Sequence, residues 1–427
     1  MALLLTGNGL QSTLLPVRAS LEDFGSLAIG VLGASYYIGF VAGCVVTPKL
    51  IRRVGHIRVF TAMVSVASVA PLAHALIVVP SVWWILRAIT GFCLASLYLI
   101  IESWLNERAT SQNRGLIFTT YTTVNYSVIT LGQVLMLTDD PSRFPLYTIA
   151  SILVSIAAVP VALTRSPQPT VITADRLSFG KLFRISPVGA AGCAVVGLTN
   201  GAFWALAPAF VLQSGFAVSD VALFMSATVI GGALSQWPFG RLSDRVDRRI
   251  TILIACAAAS AAGLAIVAAG LAMPNLTIAA GFLFGVFAFP VYALSVAHTN
   301  DVTTGVDFVS VAGGLLMING AGSVIGPLLA STAMETVGAA GLFGFTAAIH
   351  ASMALFTIYR MRQRSVPADT QKADFVPMPA TVPVTSDMDP RAEEAGASGP
   401  DEPGPPEGSP PTGEDDAPNP PSARDAA

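Results

Sequence analysis

Two ionisable side chains, Arg87 and Glu102, stand on one stripe of an otherwise apolar segment. Arg87, Gly91, Ala95, Tyr98 and Glu102 follow one another at intervals of 4, 4, 3 and 4. At 100° per residue they fall within about 80° on one face of a helix. The small members of such a stripe let a neighbouring helix approach closely. The two charges are fifteen residues apart, or about 22 Å at 1.5 Å per residue, so they cannot pair with each other. Each needs a partner of its own or water. An arginine at the centre of a membrane helix costs about 2.5–3.5 kcal/mol, which something must offset. Arg87 can meet an anionic substrate, sense a protonation change, or snorkel and brace a neighbouring helix. Glu102 can carry a proton, latch a gate through ion pairs, or mark a solvated helix end.

Which of these chemistries applies depends on the elements that hold the stripe. Hydrophobic residues make up 53% of the 427, and only 11% are charged, against about 25% in soluble proteins. The chain therefore belongs in the membrane class. The stretch 366–427 is rich in Pro, Asp, Glu, Ala and Gly and reads as a disordered cytoplasmic tail. The formal charge of −3 averages an acidic tail with a basic membrane body. Cys44, Cys93, Cys193 and Cys256 lie singly in apolar runs and read as small apolar residues. His74, His298 and His350 are lone histidines in apolar spans, without a second ligand at metal spacing. Asp139, Asp140 and Glu335 read as solvated. No phosphate-binding GxxxxGK[ST] sequence is present, which gives ATP drive no support. No nucleophile, base and orienting group stand together. The expectation is a non-enzymatic protein with no cofactor, no metal and no nucleic-acid partner, bound to the lipid bilayer.

About 20 apolar residues cross a bilayer as a helix. Twelve segments qualify, near 1–17, 27–50, 57–79, 82–105, 115–137, 144–164, 188–212, 219–240, 250–272, 276–299, 308–333 and 339–361. With the N-terminus inside, the inner links hold seventeen Lys and Arg residues, while the outer links hold only Arg18 and Arg143. The positive-inside rule then places both termini in the cytoplasm. The leading MALLLTGNGL lacks the basic region of a cleaved signal.

The two halves superpose. A shift of 192 puts Asn8, Gly9, Pro16, Gly39, Leu50 and Arg53 on Asn200, Gly201, Pro208, Gly231, Leu242 and Arg245. A shift of 194 puts Gly91, Tyr98, Asn106, Asn125 and Gly132 on Gly285, Tyr292, Asn300, Asn319 and Gly326. So many matches in equivalent spans argue for a duplicated six-helix unit with a binding site between the halves near mid-membrane. The domains expected are 1–164 and 188–361, joined by a linker at 165–187 and followed by the tail from 362. Span seven starts near Pro187, whose first-half partner falls before Met1, so the first span reads as about one turn short and the true start as upstream.

At this point the chain resembles the major facilitator superfamily over residues 1–361. GRLSDRVDRR (240–249) is similar to the family's loop motif after the second span of each half. PKLIRRVGHIR (48–58) is a weaker copy, with Arg52 where an acid is usual. RAITGFCLA (87–95) is similar to the RxxxG pattern, and GSVIGP (322–327) to the antiporters' GxxxGP motif, here in span eleven. The whole resembles a little-characterised bacterial branch of drug-exporter-like members. That resemblance implies twelve helices in two six-helix bundles, alternating access, residence in the bacterial inner membrane and a cavity lined by the first and fourth spans of each half. The candidate substrate contacts are then Asn8, Gln11, Arg87, Tyr98, Asn125, Asn200, Phe203, Trp204, Tyr292 and Asn319, with Gln11 level with Arg87. The candidate gate and coupling residues are Glu102, Arg53, Arg114, Asp244, Arg245 and Arg248. Glu102 is read as a latch to the loop carrying Arg52, Arg53 and Arg58, and Asp244 as a cap on the helix starting near Arg114. The expected activity is ion-gradient-coupled export of a small amphipathic or drug-like solute, driven by protons or another ion. The alternatives are import of a small organic anion through Arg87 and a non-transporting sensor of the same fold.

Overall fold

The computed structural model describes residues 1–109, 114–163, 179–269, 273–303 and 308–363, all within one compact unit, Met1–Pro390. The tail from 364 and most of the linker, including its predicted disorder, lie outside the described residues. Every regular element described is helical. They are α1 (Ala2–Leu21), α2 (Ser26–Val54), α3 (His56–Leu76), α4 (Pro80–Arg108), α5 (Arg114–Leu135), α6 (Pro145–Ile156), α7 (Ala158–Ala162) and α8 (Phe179–Ile185). They continue with α9 (Pro187–Gln213), α10 (Val218–Arg245), α11 (Arg248–Ala269), α12 (Pro274–Ala288), α13 (Val291–Val302), α14 (Phe308–Val337) and α15 (Gly341–Gln363).

Ten of the helical segments are long and apolar enough to span a membrane. α6 with α7 counts as one of these, and so does α12 with α13. The twelve-span expectation exceeds that number by α1 and α5. Both are of membrane-spanning length but interrupted by polar residues, Asn8, Gln11, Ser12 and Thr13 in one and Asn125, Thr130 and Gln133 in the other. Part of that polarity faces the central cavity, which Asn8, Ser12 and Asn125 line.

Helix starts follow local chemistry. α4, α6, α9 and α12 open on proline, whose missing N–H costs nothing in a first turn. Ser186 adds a side-chain cap, accepting from the Gly189 N–H at 3.2 Å. Two links are shorter than expected. α2 runs through Pro48 to Val54, and α10 through Pro238 to Arg245, so most of both basic motifs is helix. Gly55 alone turns α2 into α3, at φ 89°, a region where a side chain is strained. Span ten is broken at Phe289–Pro290 into α12 and α13.

The glycines matched by the repeat do the same work twice. α2 packs on α4 and α10 on α12, while α1 packs on α5 and α9 on α14. A methyl on Gly39 would strike the Ala88 carbonyl, and one on Gly91 the Tyr36 carbonyl. Their counterparts Gly231 and Gly285 face the Phe282 and Thr228 carbonyls. Gly132 and Gly326 likewise abut the Thr6 and Leu198 carbonyls. In a bilayer, where apolar burial between helices gains little, such close backbone approach is a main source of packing energy.

Candidate functional site

A central cavity lies between α1, α2, α4 and α5 on one side and α9, α13 and α14 on the other. It holds about 1490 Å³ of empty space, part of it open to solvent. Three repeat-matched pairs line it: Asn8 with Asn200, Tyr98 with Tyr292, and Asn125 with Asn319. The asparagines come from α1, α5, α9 and α14, and the tyrosines from α4 and α13. The Oδ1 atoms of Asn8, Asn125 and Asn200 and the Tyr292 hydroxyl are buried with no hydrogen bond. They are polar points awaiting a partner.

Arg87 and Trp204 also line the cavity, so eight of the ten predicted contacts meet there. Gln11 and Phe203 do not, and the reason is rotation. At 100° per residue, Gln11 is a quarter-turn round α1 from the lining Ser12. It is 2% exposed, and its Nε2 has no partner. Phe203 is turned likewise from Trp204. It is fully buried in a ring cluster with Trp204, Phe224, Phe284 and Phe289 at centroid distances of 5.5–6.4 Å.

Sequence reasoning missed the aromatic wall from α2, Tyr36, Tyr37 and Phe40. A depth count could have found it. α2 and α4 enter the membrane from the same end, and Tyr36 and Arg87 are the eleventh and eighth residues of their helices. The guanidinium of Arg87 lies 4.5 Å from the Tyr36 ring centroid. Tyr36, rather than span one, is thus its companion. A desolvated cation–π contact is worth about 2 kcal/mol, less than the roughly 2.5–3.5 kcal/mol cost of the charge. Nε and Nη1 of Arg87 are buried without a hydrogen bond. No carboxylate lines the cavity among the described residues. At the matching place in the second half, Gly281 is covered by the Phe224 ring, so the charge has no twin.

Glu102 sits one helical turn beyond Tyr98, and Tyr121 one turn beyond Asn125. The Tyr121 hydroxyl donates to Glu102 Oε1 at 2.8 Å, and Oε2 is buried without a partner. The bond ties α4 to α5 just below the cavity. Arg52, Arg53 and Arg58 are instead exposed. Glu102 makes no ion pair with them or any other described residue, and in this state its carboxylate turns inward to Tyr121 of α5.

The second basic motif is built otherwise. Arg248 Nε lies 2.8 Å from Asp301 Oδ2, with side-chain exposures of 2% and 4%, while Asp244 stands 3.4 Å from Arg248 Nη2 and is 36% exposed. The buried pair joins the start of α11 to the end of α13. Asp301 was missed because the sequence places it beyond span ten. Arg245 is exposed and makes no ion pair with described residues. Arg114 opens α5, but its side chain lies outside the described residues, and so does the expected contact of Asp244 with that helix start.

Asp247, in the two-residue link before α11, is bound by Arg249 at 2.7 Å. Burial pushes its carboxyl upward, but hydrogen bonds from the Arg249 side chain and backbone outweigh this and hold it below its ordinary 3.8. A depressed folded value stabilises above the unfolded value and is lost as pH falls through the folded one. The midpoint of thermal unfolding should therefore drop between about pH 5 and about pH 3, and Asp247→Asn should flatten that slope. An unchanged slope would remove the pair from the account.

At the end remote from the basic loops, the two sets of helices touch. Glu335 Oε1 of α14 accepts from the Leu27 N–H at the start of α2 at 3.0 Å, and Ser26 meets Gln213 at 3.5 Å. Glu335, expected as merely solvated, thus caps a helix across the cavity. Gly30 packs against Ser331 and Gly33 against Ala205. Nearer the middle, Ser226 donates to Gln133 at 3.4 Å. His74 and His350 hydrogen-bond the carbonyls one turn back, at 2.6 and 2.8 Å. Among the described residues no cluster of His, Cys, Asp or Glu has metal-binding geometry.

Comparison with known proteins agrees with this architecture. The family model described as Major Facilitator Superfamily matches residues 189–387. The "Uncharacterized MFS-type transporter YcaD" of Escherichia fergusonii is 24% identical over 358 residues, covering 83% of this chain and 92% of that protein. The protein of the same description from Escherichia coli O17:K52:H18 is 24% identical over 326 residues, 76% of this chain and 84% of that one. Residues 189–387 match that family, and the chain is similar to transporters of this type over most of its length. The likeness and the ten apolar spans give a multi-pass membrane protein with the architecture of a secondary transporter. Among solved structures, its fold is similar to the nucleoside transporter NupG, with a TM-score of 0.70 at 16% identity over 85% of this chain and 97% of that one. It is also similar to a bacterial homologue of the human lysosomal transporter Spinster in an inward-facing, occupied conformation, with a TM-score of 0.66 at 14% identity over 87% and 96%.

Proposed function

We propose that this chain exports a small amphipathic, drug-like solute by alternating access, with the described state open toward the cytoplasm. The single observation that carries the reading is the cavity itself. It is walled by aromatic rings and supplied with unpartnered amide groups by both halves. Among the described residues, Glu335–Leu27 and Ser26–Gln213 bridge the end remote from the basic loops, and Ser226–Gln133 joins the halves nearer the middle. The excess of Lys and Arg in the loops at the other end supports a cytoplasmic side there, in a bacterial inner membrane with both termini inside. Residues 1–164 and 188–361 act as the two moving bodies, hinged around the solute. Likeness to an inward-facing structure at a TM-score of 0.66, against 0.53 for a sugar transporter, FucP, in its outward conformation, supports the same assignment.

Coupling to an ion gradient is assigned to Glu102. An ionised carboxylate with no counter-charge is costly in such surroundings, and taking up a proton removes that cost. Its bond to Tyr121, one turn from Tyr98 and Asn125, lets its charge state bear on the cavity wall.

Opening to the outside must separate Ser26 from Gln213. In a chain with its native cysteines replaced, Ser26→Cys and Gln213→Cys bridged by a short disulfide-forming crosslinker should stop proteoliposome uptake of whichever probe the parent carries, labelled ethidium or 1-naphthylacetate. Reduction should restore it. Uptake that continues with the bridge in place, or no movement of either probe before bridging, would rule the reading out.

A further inference from the structure

We infer that the solute carries an anionic group, a carboxylate on an aromatic or apolar body, and that Arg87 is the residue that selects it. The inference deepens the carrier reading and rests on it for its physiological meaning, though its binding test does not. Three observations carry it. Arg87 is 7% exposed, yet it lines the cavity. Its guanidinium has a ring on one face, and neither Nε nor Nη1 has an acceptor. No Asp or Glu among the described lining residues answers its charge.

A brace would look different. An arginine that holds helices together spends its donors on carbonyls or carboxylates, and Arg87 spends none among the described residues. The guanidinium is a planar fork matched to a carboxylate, and it stacks on aromatic faces. Tyr36 supplies such a face, leaving the edge as the direction of recognition. Around it, Tyr37, Phe40, Tyr98 and Trp204 offer apolar surface for a body of aromatic size, and Asn8 and Asn125 offer hydrogen bonds to its substituents. Because the second half carries Gly281 and Phe224 where a second cation would stand, one anionic group fits better than two. Those features point to a monoanion. A lipophilic cation would meet Arg87 with no acid to offset the repulsion.

The test uses the full-length purified protein and a matched panel: 1-naphthylacetate, its neutral amide 1-naphthylacetamide, and 1-naphthylethylammonium. Binding is read by thermal shift and by tryptophan quenching. The acid should bind about tenfold or more tighter than the amide, in line with a charge-assisted pair in a desolvated site. Arg87→Gln should erase the preference, and Arg87→Lys should keep part of it. A second readout needs no ligand. Because the unpaired charge is a burden in the empty protein, Arg87→Met should raise the unfolding midpoint. A lower midpoint would make Arg87 a brace and overturn the inference, as would equal binding of acid and amide or a preference that survives Arg87→Gln. If the acid binds through Arg87 but does not cross the membrane, the carrier reading fails and the inference stands. If the acid is carried as well by Arg87→Gln as by the parent, the inference fails and the carrier reading stands.

Discussion

Glu102→Gln should leave solute exchange intact and abolish uphill transport. Glutamine keeps the size of the side chain and can still accept the Tyr121 hydroxyl, now 2.8 Å from Glu102 Oε1. What it cannot do is gain or lose a proton. Counterflow, which needs only binding and the swing between states, should stay within about twofold of the parent, while accumulation driven by a pH gradient should fall by about tenfold or more, the scale of a typical coupling free energy. The comparison is made in one batch of proteoliposomes with and without an imposed gradient. Tyr121→Phe removes the one donor and should give an intermediate loss of accumulation. If Glu102→Gln reduces exchange and accumulation equally, Glu102 is part of the moving framework and not the coupling site.

The second large effect concerns stability. Asp301→Asn should destabilise the protein by about 3–5 kcal/mol, the cost of leaving a buried charge without its counter-charge. Arg248 is 2% exposed and reaches Asp301 at 2.8 Å, so the charge cannot turn out to water without moving the start of α11. Asp244→Asn should cost no more than about 1 kcal/mol, because Asp244 is about a third exposed, farther from Arg248, and screened as surface pairs are. The double change Arg248→Met with Asp301→Leu should recover much of the loss, since buried pairs exchanged for apolar residues are often neutral or better. Unfolding midpoints of the parent and the three variants in one detergent decide the matter. Equal losses at Asp244 and Asp301 would mean that the motif aspartate carries the join.

That ranking reverses what the sequence suggests, and the reversal shows where legibility ends. Periodicity and length expose the helices because a bilayer tolerates little else. The repeat exposes the close contacts because two glycines at equal offset in equivalent spans have one common physical use. Asn8, Tyr98 and Asn125 and their partners were readable for the same reason. Side-chain direction was not. Gln11 and Phe203 miss the cavity by one residue of helical rotation, which span boundaries known to within a few residues cannot resolve. The partners of Glu102 and Arg248 depend on which way a side chain turns at a helix end, which motif spacing does not supply. Tyr36 was overlooked because an aromatic in an apolar span carries no polar signal of its own.

The paired glycines also bear on how such a protein can change over generations. Any replacement at Gly39, Gly91, Gly231 or Gly285 adds at least one carbon where a carbonyl already stands, so no mutational step away from glycine is small. Asn8, Arg87 and Trp204 line the cavity, and none of their carbonyls is a close contact of these four glycines, so their side chains can be exchanged one at a time. The architecture thus separates inheritance of shape from inheritance of cargo. A lineage can drift from one solute to another through Asn8, Trp204 or Arg87 while its helix pairs remain frozen.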